Sequence, residues 1–225
     1  MPKAQSLKPG SQDGVALILV LLVMTTVSAL AMSLALIVST ESRVTANYRD
    51  GMDAFYGAEA ALERVLPDLA LESDFNVVLA GGATSTFTDG PPGSRRLPDG
   101  TLMDLNTLTA MLNCGRVVCQ EADLDASRAD RPWGRNNPRW RIYGHGQLPA
   151  GSRVYAVVWV ADDASETDGD PATDGGEGEG AENPGRGRLN LTAHGYGPAG
   201  TRRAVEATIV RTDGVLHVMS WREIR

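Results

Sequence analysis

From Val15 to Thr40 the chain carries no charged residue, and most positions are Leu, Val, Ile, Ala or Met. A helix needs about 20 apolar residues to cross the hydrocarbon of a bilayer, so this run is long enough to span one with some tilt. Beyond Glu41 the apolar positions thin out to helical spacing. Val44, Tyr48, Met52, Phe55, Leu62, Leu66 and Leu69 recur at steps of three and four, with Glu59 filling the one vacant place. That periodicity predicts an amphipathic helix continuing from the apolar run. Pro67 is the first residue hostile to a helix interior and marks the expected end. At the standard rise, residues 15–66 make a rod of about 78 Å. Gly51 and Gly57 each weaken the extension by up to about 1 kcal/mol relative to Ala, so it is expected to depend on packing against a globular domain. The stripe reads as core packing, not as a cofactor contact.

Residues 73–138 are punctuated by breakers, Gly81-Gly82 and the Asp89-Gly90-Pro91-Pro92-Gly93 turn among them. Within them residues 101–112 predict a short helix, with Leu102, Leu105, Leu108 and Leu112 on one face, and residues 132–138 read as loop. After Arg139 the texture changes. Residues 140–143, 153–160, 188–193, 203–210 and 215–221 are rich in β-branched and aromatic side chains, several with alternation. Residues 195–200 and Thr212-Asp213-Gly214 are hairpin connections. Consecutive strands joined in this way predict an antiparallel sheet, one face covering the amphipathic helix and the other facing solvent. The fold class is α+β: a long N-terminal helix packed on a C-terminal antiparallel sheet.

The formal charge of −7 changes the picture little, because the acidity is concentrated in a loop at residues 162–187. There is no basic patch of the kind nucleic acid requires. Lys3 and Lys8 precede the apolar run and favour a cytoplasmic N-terminus, with the remainder beyond the membrane. That compartment is oxidising, so Cys114 and Cys119 are expected to form a disulfide, two free thiols being the alternative. A ring this short restricts the unfolded chain by roughly 2 kcal/mol in the loop-entropy model.

Within the acidic loop, Asp168, Asp170 and Asp174 offer oxygen ligands, with Asp162 or Asp163 able to complete the shell of a hard cation such as Ca²⁺. The spacing departs from the EF-hand pattern, and a solvated acidic loop is the alternative. No catalytic set emerges. His145, His194 and His217 lack metal spacing, and no serine sits in a nucleophile-elbow sequence. The chain does not read as an enzyme.

A short basic leader ending at Gly14, followed directly by an apolar helix, resembles a prepilin-type signal. Glu41, Arg43, Ala46-Asn47, Arg49-Asp50, Ala54-Phe55 and Ala58-Glu59-Ala60-Ala61-Leu62 resemble the segment that follows the membrane helix in PilX-type minor pilins of type IV pili. The resemblance covers roughly residues 10–66. It implies cleavage between Gly14 and Val15 by a prepilin peptidase and N-methylation of Val15. It further implies storage of the helix in inner-membrane lipid with the globular domain in the periplasm. From there the chain would pass into a filament with other minor pilins and the major pilin. On this scheme residues 1–14 are the leader, 15–40 the membrane and filament-core helix, 41–70 its amphipathic extension and 71–225 the globular domain. Two positions depart from the family. Leu19, the fifth residue after the cut, replaces the Glu thought to pair with a neighbour's amino terminus. That resembles tip-type members, including the GspK-like pseudopilins of type II secretion, and implies a role in priming assembly or carrying a tip adhesin. Asp13 stands where the family more often has a basic or neutral polar residue. GspK-like proteins usually carry a large inserted helical domain, for which residues 73–138 are too few. An uncleaved single-pass binding protein is the reading from another class.

Overall fold

A computed structural model describes residues 13–97, 99–149, 152–165, 169–175 and 187–224. The first helix, α1, spans Asp13–Leu71. The chain divides into two compact units, Met1–Asn47 and Tyr48–Arg225. In the first, every described residue from Gly14 to Asn47 is exposed.

In the second unit, the last six turns of α1 are followed by α2 (Phe75–Leu79), β1 (Ser94–Arg96), β2 (Leu102–Asp104), α3 (Leu105–Cys114) and α4 (Glu121–Leu124). Five strands then form the main sheet: β3 (Arg141–Gln147), β4 (Tyr155–Asp162), β5 (Arg188–Tyr196), β6 (Arg202–Thr212) and β7 (Val215–Ile224). Their spatial order is their chain order, and every neighbour is antiparallel. The α+β architecture and the antiparallel sheet agree with the sequence reading. The β6–β7 hairpin turns on Asp213 and Gly214, both at positive φ (52° and 77°), as a tight primed turn requires.

Three expectations are corrected. Pro67 does not end α1, which runs on to Leu71. The proline sits on the exposed side of the helix, where the carbonyl it leaves without a partner can bond water. The packing face of α1 coincides with the predicted stripe only in part. Val44 and Tyr48 are 62% and 69% exposed, and Met52, Phe55 and Leu66 are half-buried. Of the stripe only Leu62 and Leu69 are fully buried, and Ala54, Gly57, Ala58, Ala61 and Val65 complete the packing face. The reason is close approach. A Cβ on Gly57 would stand 2.5 Å from Val154 Cγ1, and one on Gly195 of β5 would overlap the Ala54 carbonyl oxygen. Where a helix backbone comes this near a sheet, only small side chains fit between them.

Third, the sheet is covered on both faces. On the α1 side, Val158, Leu191, Val205 and Ile209 pack with Leu62, Val65 and Phe75. On the other, Tyr155, Val157, Trp159 and Tyr196 pack with Leu97, Met103 and Leu105. All eight residues of β4 are buried. A strand apolar on both faces cannot leave one in water, so the segment between α2 and β3 closes over it. Residues 101–112 accordingly divide: Leu102–Asp104 is strand and the helix begins at Leu105, capped by Asp104, whose side chain accepts from Thr107 N at 2.9 Å.

Candidate functional site

The most unusual surface in the molecule is the N-terminal half of α1. Leu17, Ile18, Leu22, Leu30, Leu34 and Leu36 are each between 57% and 71% exposed. The helix is long and apolar enough to cross a membrane, and its most apolar stretch is wholly exposed among the described residues. A row of Leu, Ile and Val left in water is strongly unfavourable, at roughly 25 cal/mol per Å², so lipid or other helices must cover it. Four of the six hydroxyl side chains between Val15 and Thr40 bond carbonyls of their own helix. Thr25 Oγ1 donates to Leu22 O (2.9 Å), Thr26 Oγ1 to Val23 O (2.8 Å), Ser33 Oγ to Ala29 O (2.9 Å) and Thr40 Oγ1 to Leu36 O (3.0 Å). That suits a surface facing hydrocarbon, where an unpaired hydroxyl has no water to bond.

Gly14 lies in the first turn of this helix with nothing within 4 Å of where a Cβ would sit, and Val15 is 60% exposed. Among the described residues nothing shields the bond between them. Leu19, 58% exposed, presents an apolar side chain one turn further on.

The other predicted residues sit elsewhere. Cys114 and Cys119 are joined as a disulfide with Cα atoms 5.9 Å apart, just where Gly115 turns the chain out of α3 at φ 69°. Of the five proposed calcium ligands, Asp168 lies outside the described residues. Asp163 bonds Ser165 and lies 3.7 Å from Arg188, Asp170 holds the turn through Ala172 N and Thr173 Oγ1, and Asp174 accepts from Gly187 N at 2.7 Å. Asp162 is buried at the end of β4. Among the described residues no group of three or more His, Cys, Asp or Glu is placed to hold a metal.

One polar cluster was not legible in the sequence. Asp89 accepts from Arg95 Nε (2.9 Å) and Tyr155 Oη (2.9 Å), and its Oδ1 lies 2.9 Å from His145 Nδ1. Thr88 Oγ1 stands 3.3 Å from the other ring nitrogen, so Thr88, His145 and Asp89 share the connectivity of a hydrolase triad. The Thr88 hydroxyl, however, donates to the Gly90 carbonyl at 3.0 Å. Burial holds the His145 imidazole below its ordinary pKa against the pull of Asp89, and burial pushes the Tyr155 phenol up. The cluster pins residues 85–95 along the edge of β3, where His145 N also donates to Phe87 O at 2.7 Å. No local motif announces it, because its members meet only after β3 and β4 pair. His194 is likewise structural, its ring edge-on to Trp159 at 4.9 Å, and His217 is exposed on β7.

Residues 13–63 of the chain match the family model described as PilX N-terminal. No match to the chain emerges among curated proteins or among solved structures.

Proposed function

Starting from a chain that is PilX-like over residues 13–63, we propose that it is a minor pilin of a type IV pilus, incorporated at or near the filament tip. There it primes assembly or presents an adhesin. A prepilin peptidase cuts between Gly14 and Val15, the new Val15 amine is methylated, and the helix waits in the inner membrane with the globular domain in the periplasm. The helix then leaves lipid for the company of other minor pilins and the major pilin. Contacts between apolar helices replace contacts with lipid, so the transfer is driven by packing and by an assembly motor and not by the hydrophobic effect alone.

One observation carries this reading. The family match opens at residue 13, and the apolar surface that begins immediately afterwards is exposed among the described residues. Leu19 supports the apical position, because a carboxylate able to pair with a neighbour's amino terminus is missing there.

The test is the intact mass of the membrane-extracted protein together with the content of sheared filaments. The expected mass lacks residues 1–14 and carries one added methyl group, and Gly14→Leu is expected to retain the leader and stay out of filaments. A wild-type chain with its leader intact, or filaments that never contain it, would reject the proposal.

A further inference from the structure

On the face of the sheet opposite α1, a groove of about 690 Å³ opens between β5–β7 and the segment leading into β3. Its walls hold two of the four tryptophans, Trp133 and Trp140. The other two indole N–H groups are engaged, Trp159 Nε1 with Thr109 Oγ1 at 2.8 Å and Trp221 Nε1 with Glu59 Oε1 at 3.3 Å. Those of Trp133 and Trp140 have no partner among the described residues, and Trp133 is 49% exposed.

Both groove tryptophans are held at the backbone by a buried asparagine. Asn137, 1% exposed, accepts from Trp133 N at 3.2 Å, and its Nδ2 donates to Leu124 O and Ala126 O. Asn113, 8% exposed, accepts from Trp140 N at 2.8 Å and donates to Trp140 O at 2.9 Å. A loop that commits buried amides to fix a half-exposed indole is pre-organised, which lowers the entropic cost of binding something against it.

Across from the tryptophans the sheet supplies hydrogen-bonding groups with spare capacity. Arg222 grips only Oε2 of Glu206, at 2.9 and 2.5 Å, and Oε1 has no partner among the described residues. Asn190 accepts from Thr208 Oγ1 at 2.9 Å and keeps its amide hydrogens for another partner. The charged lining is Arg131 and Arg222 against Asp130, Asp163 and Glu206, a balance that disfavours a polyanion. The required ligand has a flat apolar face for an aromatic ring, a rim of hydroxyls for carboxylate and amide, and no net charge.

We propose that this groove is a binding site for a neutral glycan, with a pyranose ring laid on Trp133 and its hydroxyls bonded by Glu206 and Asn190. The C–H face of the sugar removes apolar surface from water against the indole, while its rim satisfies acceptors and donors that the chain leaves open. The site belongs to the globular unit, so it stands or falls independently of filament position.

The experiment uses the full chain in a detergent without a sugar headgroup, since alkyl glycosides would compete. Lactose, maltotriose and chitotriose are titrated by calorimetry and tryptophan fluorescence, with a heparin hexasaccharide and a lysine hexapeptide as charged comparisons. At least one neutral sugar is expected to bind saturably with a change in tryptophan emission. Trp133→Ala is expected to weaken it by about tenfold or more, and Glu206→Gln less so. Trp133→Phe retains a ring to stack on and is expected to recover most of the affinity. Trp221→Phe, on the opposite face, is expected to bind like wild type. The proposal is overturned if no neutral sugar binds at millimolar concentration, if Trp133→Ala and Trp133→Phe both bind unchanged, or if only a charged probe binds.

Discussion

At the scale of single residues, two small glycines and one histidine decide most. A methyl on Gly195 would enter the backbone of α1 at Ala54, so Gly195→Ala forces helix and sheet apart. Overpacking of this kind costs about 1–3 kcal/mol, and the expected outcome is a matching fall in the denaturation midpoint of the full chain in detergent. Gly57 faces Val154, so its cost to the helix is offset by contact it alone permits; Gly57→Ala is expected to destabilise, where helix propensity by itself predicts a gain. His194 acts through protons. Burial, helped by the Arg202 charge, lowers its pKa from the ordinary value of about 6.5 to about 4. Between those values the unfolded chain takes up a proton that the native chain refuses, so stability falls as the pH drops through this window, by at most about 1.4 kcal/mol per unit. Melting at pH 5 against pH 7.5 is expected to show that loss, and His194→Gln to reduce the slope.

At the scale of elements, the end of α1 shows how context sets a boundary. Pro67 lies within the helix because it faces water and because Leu69, two residues on, is fully buried. Arg211 of β6 also holds this end, donating to Leu69 O at 2.8 Å with its guanidinium 4.1 Å above the Phe75 ring. Arg211→Ala is expected to cost about 1–2 kcal/mol, read from the melting midpoint, by removing a charged hydrogen bond and a cation–π contact together. The open edge of the sheet is β7, where Val215, Val218, Met219 and Trp221 are exposed. The register slips between Thr208 and Ile209, and a bulge of this kind twists an edge away from stray pairing.

At the scale of the molecule, the dominant fact is an apolar helix surface that stands exposed among the described residues. Two arginines on that surface, Leu22→Arg with Leu30→Arg, each add about 3 kcal/mol to the free energy of insertion. The double variant is expected to leave the membrane pellet on alkaline extraction, where the wild type remains. The globular unit owes its three layers to β4. Residues 155–160 are apolar at every position, and that unbroken run was the available sign that both faces of the sheet would be covered.

What the sequence determined by itself was whatever depends on near neighbours in the chain: the uncharged run after Gly14, the five strands in order and the Asp213-Gly214 turn. Periodicity and turn chemistry act over a few residues, so they can be read without a fold. The face of α1 that packs, the cover on the second face of the sheet, the Asp89–His145–Tyr155 clamp and the Trp133 groove were decided only in three dimensions. Each depends on how closely two distant backbones approach, or on which side chains two paired strands bring to the same side. Apolarity marks a residue as fit for burial, but the distance between elements selects Ala58 over Tyr48, and no local pattern encodes that distance.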